Sequence, residues 1–333
     1  MRYTILGQTG VRVSCLCFGS SSFGRELDES AVAAMFNRCR DVGINFIDTS
    51  NVYYAGRSEQ VLGKLMADCR DELVIASKVG FPIDDDPNAR GLSRRHILLQ
   101  VEASLKRLRT DRLDLYYLHT FDPQTPIETT LSALDDLVRQ GKILYPAVSN
   151  WAAWQIATAL GVSQRAQLTR FACIQPMYNL VKRQAEVEIF ALAQAEQLGV
   201  VTYAPLGAGL LTGKYGRTRR PSDGRLLWDP VYARRYTDPS YYDTAERFTD
   251  HARERGVHPA ALSVAWVMSH PAVTAPILGA RNVQQLEESL GALDIEMTPE
   301  WREEISSLSR EPSSATDRSE EKDGIVYGGA LSS

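Results

Sequence analysis

Cysteine is scarce in this chain. Five residues (15, 17, 39, 69 and 173) make an odd count without a CxxC pair, which leaves neither a disulfide framework nor a zinc-ribbon site. Long hydrophobic runs are missing: none approaches the ~20 residues of a bilayer span. Residues 1–13 lack the apolar core of a secretion signal. Charge of one sign is lacking too, since 37 Lys+Arg against 41 Asp+Glu leave a net charge of −4. Such a surface offers no electrostatic footprint for nucleic acid or for an anionic membrane. Reduced thiols in a cytoplasmic protein are the resulting expectation.

What is present is ordinary for a globular chain: 333 residues, 44% hydrophobic and 23% charged, enough to build a core without staples. A guide of ~150 residues per domain allows two domains, whereas an α/β barrel absorbs the whole length in one. Helix signals recur. Asp28 caps a helix with Val32, Met35, Phe36, Cys39 and Val42 on one face and Gly43 as the stop. Ser93 opens another carrying Leu98, Val101, Leu105 and Leu108. Thr125, Pro126 and Glu128 stand in the order of a cap, a first-turn proline and a capping-box acid. That helix carries Leu131, Leu134 and Val138 and ends near Gly141.

Between the helices lie eight short apolar runs, at 13–18, 44–47, 73–76, 113–118, 143–148, 172–175, 200–204 and 274–278. They read as buried parallel strands, at steps of roughly 30 residues, the size of one βαβ unit. The pattern predicts an α/β fold, a (β/α)8 TIM barrel, in preference to an open doubly wound sheet. Residues 2–5 and 7–11 read as an N-terminal β-hairpin closing one end. The gap after the seventh strand, 215–242, predicts a long loop. Residues 1–309 are expected to form the single barrel, and 310–333 a polar tail whose apolar run 324–331 docks on a neighbour or on the barrel itself.

In such a barrel the chemistry sits at the carboxyl ends of the strands. Here three consecutive strands end in Asp48, Lys78 and His119, and Tyr53 follows in the loop after Asp48. Singly, each is as readily a cap, a solvated charge or packing. Together they make chemical sense. A tyrosine near its usual pKa of about 10 is a poor acid, but an adjacent ammonium favours phenolate and a buried carboxylate keeps that ammonium charged. Tyr53 could donate a proton to a developing alkoxide while His119 hydrogen-bonds the same oxygen. This suits reduction of an aldehyde or ketone, and the hydride must come from a nicotinamide cofactor.

The run 43–53 (GINFIDTSNVY), with Ala76-Ser77-Lys78 and 113–119 (LDLYYLH), resembles the aldo-keto reductase superfamily, and the likeness extends over about residues 3–309. The resemblance implies a catalytic tetrad of Asp48, Tyr53, Lys78 and His119. Tyr54 stands where a glycine is common and becomes a pocket-wall candidate.

No strand–GxGxxG–helix unit is evident, and 207–215 fails as a P-loop because Ala208 and Tyr215 occupy its essential Gly and Ser/Thr positions. On residues alone, the glycine-rich turn is equally a tight loop or a pyrophosphate cradle. The resemblance implies that Ser149, Asn150 and Gln175 hold a nicotinamide carboxamide and that Tyr203 stacks on its ring. It implies Leu206, Gly207, Gly209, Leu211 and Lys214 along the pyrophosphate, and Gly279, Arg281, Gln285 and Glu288 at the adenosine. Ser289 departs from the asparagine common in the family. An arginine at 281, opening the last barrel helix, suits a 2′-phosphate, so NADPH/NADP+ is expected rather than NADH. The substrate pocket candidates are Phe23, Tyr54, Phe81, Trp151, Trp228 and Tyr232, and the partner is a small-molecule carbonyl compound. Trp228 and Tyr232 read as a lid or as pins for the long loop. Arginines 217, 219, 220, 225 and 234 could attract an anionic substrate or simply be solvated. Two other readings remain: a non-catalytic NADPH-binding regulatory or sensor subunit, and a lyase in which Lys78 forms a Schiff base.

Overall fold

The computed structural model describes residues 1–24 and 28–316. The tail's apolar run 324–331 lies outside the described residues. Among these described residues ten strands occur in the order β1 (Tyr3–Ile5), β2 (Arg12–Ser14), β3 (Cys17–Gly19), β4 (Phe46–Asp48), β5 (Val74–Val79), β6 (Leu113–Leu118), β7 (Ile143–Ser149), β8 (Cys173–Gln175), β9 (Gly199–Thr202) and β10 (Ala275–Leu278). β1 and β2 form an antiparallel hairpin, and β3 to β10 close on themselves as an eight-stranded barrel, every pair of it parallel. The helices are α1 (Glu29–Asp41), α2 (Arg57–Leu65), α3 (Arg94–Leu108), α4 (Ile127–Arg139), α5 (Ala153–Ala166), α6 (Ile189–Ala195), α7 (Arg225–Trp228), α8 (Pro230–Arg235), α9 (Pro239–Glu254), α10 (Pro259–Met268), α11 (Val283–Leu290) and α12 (Pro299–Ser306). The architecture is the expected (β/α)8 barrel with an N-terminal hairpin. Among the described residues no helix is long and apolar enough to cross a membrane.

Two layers of apolar packing follow from strand alternation. Outward residues such as Ile47, Ile75, Tyr116 and Leu118 meet the helix faces, including Val32, Met35 and Phe36 of α1 and Val101 and Leu105 of α3. Each fully buried aliphatic or aromatic side chain contributes about 1.5–3 kcal/mol. Inward residues fill the barrel itself: Cys17, Phe46, Val74, Ala76, Leu115, Tyr117, Ala147, Cys173 and Val201, with Leu6 and Val13 of the hairpin segment. The hairpin turn presses on the strand beginnings. Gly7 has φ +51°, and a Cβ there would lie 2.7 Å from Gly199 N and 2.8 Å from the Ala172 carbonyl, so only glycine fits.

Three local expectations need correction. The apolar run 13–18 is two strands, because the Ser14 hydroxyl donates to the Leu16 carbonyl (2.6 Å) and turns the chain. Burial on both sides of the break hides it from the hydrophobic pattern. At α4, Pro126 is the N-cap rather than the first-turn residue; Thr125 instead donates its hydroxyl to Asp122 (2.7 Å). The long loop 215–242 contains α7, α8 and the start of α9. Asp229 and Asp238 cap α8 and α9, each followed by a proline in the first turn. The two Asp-Pro pairs were the available signal.

Candidate active site

Phe46, Ala76, Tyr117, Ala147, Cys173 and Val201 all belong to the buried interior of the barrel. Two residues beyond each come Asp48, Lys78, His119, Ser149, Gln175 and Tyr203. Strand periodicity therefore projects these side chains from one interior onto one rim, at the end opposite the hairpin.

Lys78 is fully buried. Its ammonium donates to Asp48 Oδ1 (2.5 Å), the Thr49 carbonyl (2.8 Å) and the Tyr53 hydroxyl (3.3 Å), which uses all of its protons. Since Tyr53 Oη accepts from Lys78, the phenolic proton is free for another acceptor. Gln175 Nε2 donates to Asp48 Oδ2 at 2.8 Å. A carboxylate only accepts, so the Gln175 amide is fixed with Oε1 turned away from Asp48.

Burial works hardest to strip the proton from Lys78, but Asp48 and Tyr53 together, by charge and hydrogen bonds, outweigh it and hold the lysine pKa above its usual value. Tyr53 corrects the expectation of a lowered phenol. Burial raises its pKa and exceeds the opposing pull of Lys78, so Tyr53 stays protonated at neutral pH. His119 is driven well below the usual histidine range by burial, then by Lys78 and Arg235. It is neutral. Its Nδ1 lies 3.2 Å from Ser50 Oγ; with Ser50 as donor, the ring proton belongs on Nε2. The rings of Tyr53 and His119 are 6.1 Å apart.

The loop that carries Tyr53 is strained. Tyr54, Ala55 and Gly56 have φ of +49°, +52° and +85° in succession, at about 1–2 kcal/mol for each non-glycine residue. The Tyr53 carbonyl accepts from Gly56 N (3.2 Å) and Ser58 N (3.3 Å) as the chain enters α2.

The residues expected around a nicotinamide form one connected network. Ser149 Oγ donates to the Gln175 carbonyl (2.8 Å), Asn150 Nδ2 to the His119 carbonyl (2.9 Å), and Tyr203 Oη to Asn150 Oδ1 (2.7 Å). Asn150 holds φ +59° to do so. Further round the rim, Gly207 and Gly209 take φ +57° and +94°, beside half-buried Leu206 and buried Leu211. A Cβ on Gly209 would stand 3.3 Å from Lys214 Nζ, so the backbone is bare beneath a cation. A Cβ on Gly279 would meet nothing within 4 Å. Arg281 N is held by Gln285 Oε1 (3.1 Å), and Glu288 accepts from Gln284 (3.2 Å). Lys214 is depressed by burial and then by Arg281, so two cations share this stretch of groove. The Arg281 guanidinium, expected to be free for a phosphate, pairs with Asp223 at 2.8 Å. Both partners are exposed, and such a pair contributes about 0–1 kcal/mol, so a phosphate can displace it. Asp223 gave no signal in the sequence.

Of the expected pocket residues, Tyr54 and Phe81 are exposed at the rim, and Phe81 packs on His119 at 4.5 Å between ring centres. Trp228 ends α7 and is 38% exposed. Trp151 is buried, edge-on to Phe121 (4.9 Å) and Phe171 (5.7 Å), which makes it mainly packing. Its outer side lines a ≈ 330 Å³ cavity with Asn150, Met177, Gln175 and Tyr203. Phe23 is fully buried against Phe18 and drops out. The Tyr232 ring carries the guanidinium groups of Arg225 (3.7 Å) and Arg235 (4.7 Å).

A sequence profile described as the aldo/keto reductase family matches residues 15–310. An uncharacterized oxidoreductase, YrpG, of Bacillus subtilis (strain 168) is 37% identical over 311 residues, covering 90% of this chain and 93% of the relative. A probable voltage-gated potassium channel subunit beta of Oryza sativa subsp. japonica is also 37% identical, over 319 residues, covering 92% of this chain and 96% of the relative. One of the same description from Arabidopsis thaliana is 36% identical over 304 residues, covering 89% and 92%. The chain belongs to the aldo/keto reductase family.

Proposed function

We propose that this chain is an NADPH-dependent reductase of aldehydes or ketones, reversible, in which Tyr53 delivers the proton. The observation that carries the reading is the buried chain Asp48–Lys78–Tyr53 beside a neutral His119. Asp48 keeps Lys78 charged, and Lys78 stabilises the phenolate that Tyr53 becomes once its proton has gone to the substrate oxygen. His119 Nε2 donates to that oxygen and orients the carbonyl. A dihydronicotinamide supplies the hydride when bound.

The residues present suit that cofactor. Gln175 Oε1, free of Asp48, accepts from a carboxamide alongside Ser149 and Asn150, and Tyr203 offers an aromatic face. Leu206, Gly207, Gly209 and Leu211 give a bare backbone under Lys214 for a pyrophosphate. Gly279 leaves open space for the adenosine side, with Gln285 and Glu288 on α11. Arg281 recognises a 2′-phosphate, which favours NADPH over NADH. Residues 1–309 act as one cytoplasmic unit. A Schiff-base role for Lys78 needs a free amine, which the raised pKa opposes.

Tyr53→Phe tests the assignment. NADPH oxidation with a broad aldehyde panel should fall by about 10²–10⁴-fold, while quenching of protein fluorescence by NADPH persists. Full activity in Tyr53→Phe removes the acid from Tyr53. The relatives described as potassium channel beta subunits support a second reading, a cofactor-binding regulatory subunit. Wild-type protein that binds NADPH tightly yet reduces no carbonyl in the panel would favour it.

A further inference from the structure

Arg235 is the last residue of α8, half-buried, and it was absent from the arginines the sequence singled out. Its neighbourhood is fixed. Asp229 accepts from Val231 N (3.0 Å) and Tyr232 N (3.3 Å) at the start of the helix. Tyr236, next in the chain, is buried and accepts from Asn179 Nδ2 (3.1 Å), which also donates to the carbonyl of Ala204 (2.9 Å). Ala204 directly follows the rim residue Tyr203, so Arg235 is tied to the candidate site through a short rigid path. Its charge is felt there, at His119, Tyr203 and Tyr236.

Of the other arginines of the segment, Arg234 is exposed and four are engaged. Arg217 pairs with Asp243, Arg219 donates to the Tyr215 carbonyl (3.2 Å), and Arg220 donates to the carbonyls of Gly216 and Arg219. Arg225 lies 3.6 Å from Asp229 and on the Tyr232 ring at 3.7 Å. Arg235 stacks on that same ring at 4.7 Å, and among the described residues no carboxylate pairs with it. On the rim, Asp48 and Lys78 neutralise each other, while Tyr53 and His119 are uncharged. Among the described residues, Arg235 is a half-buried cation without a carboxylate partner, and its charge contributes to lowering the His119 pKa. We infer that Arg235 is a specificity-determining residue and that the favoured substrate is a carbonyl compound bearing a carboxylate, which the guanidinium grips while the carbonyl lies at Tyr53 and His119.

The inference rests on the reductase reading, and its test separates the two. NADPH-dependent reduction of 4-carboxybenzaldehyde is compared with that of its neutral methyl ester in wild type, Arg235→Gln and Arg235→Lys. Wild type should prefer the carboxylate in kcat/KM, and the Gln variant should reduce that preference by about 10–100-fold, mainly through KM, with partial recovery in Lys. Equal losses on both aldehydes in Arg235→Gln, or no preference in wild type, overturns the inference. Calorimetric titration with benzoate, with and without NADP+, reads the anion contact without turnover. Benzoate binding that disappears in Arg235→Gln supports the anion site even if neither aldehyde is reduced, an outcome that defeats the reductase reading alone. Benzoate binding that survives the substitution overturns the anion site.

Discussion

Where the barrel strands begin, Leu6 and Val13 close the interior with apolar side chains and Gly7 lies against the backbone of Gly199. Where the same strands end, the equivalent inward positions are Asp48, Lys78, His119 and Gln175, nearly or fully buried, with Lys78 and Gln175 both bonded to Asp48 and His119 to Ser50. The first end is stabilised by area removed from water and by fit. The second keeps buried charge that is tolerable only while every partner is present. A core can thus carry chemistry at one end provided the other end needs no function.

That contrast can be broken experimentally. The largest effect belongs to Asp48→Asn, which leaves Lys78 buried without its counter-ion. Urea denaturation should show a loss of about 3–5 kcal/mol, with turnover collapsing at the same time. A stable, active variant would mean that the pair is not what holds this end together. Gly7→Ala probes the opposite end. Strain at its positive φ should cost about 1–3 kcal/mol, and kcat and KM measured well below the unfolding temperature should match wild type. A change in either constant would couple the two ends. Arg281→Gln, at the margin of the rim, should weaken NADPH binding about tenfold, or ~1.4 kcal/mol, and leave NADH binding nearly unaltered in fluorescence titrations. Equal weakening of both would remove the 2′-phosphate from its role.

The smallest effect is an absence of titration. His119 is held neutral, so reductive kcat should stay flat from pH 6 to 7, through the ordinary histidine pKa of about 6.5; an inflection there that vanishes on substituting His119 would defeat its neutral state. Stability behaves differently. Burial and Arg302 push His270 down to about 4, and His119 is lowered as well. Below about pH 6.5 the unfolded chain binds protons that these folded histidines refuse, so stability present at neutral pH is lost as pH falls. Urea midpoints at pH 7 and pH 5 measure that loss.

Much of the rim was legible because periodicity alone carries it. Once 44–47, 73–76 and 113–118 read as strands, Asp48, Lys78 and His119 had to emerge at their ends, and the structure gathers them with Tyr53. What escaped depends on segments distant in sequence. Tyr236, next to Arg235, is anchored on Asn179 across 57 positions, and Asp223 meets Arg281 across 58 positions. Trp151 read as a pocket wall beside a rim residue, yet it is buried against Phe121 and Phe171. The break inside 13–18 is made by one serine hydroxyl, which hydrophobic pattern does not register. The sign of the Tyr53 shift required knowing how far burial exceeds the pull of Lys78.

The spacing of two between each interior residue and its rim partner acts as a reading frame. Deleting one residue between Val74 and Lys78 would swing Lys78 outward and bring Ser77 in, since each step along a strand reverses the face. Substitutions can therefore drift through β5 while its length cannot. The fold guards this site against insertions and deletions in its strands and leaves the loops beyond the rim, such as 215–242, free to vary in length and to retune what enters.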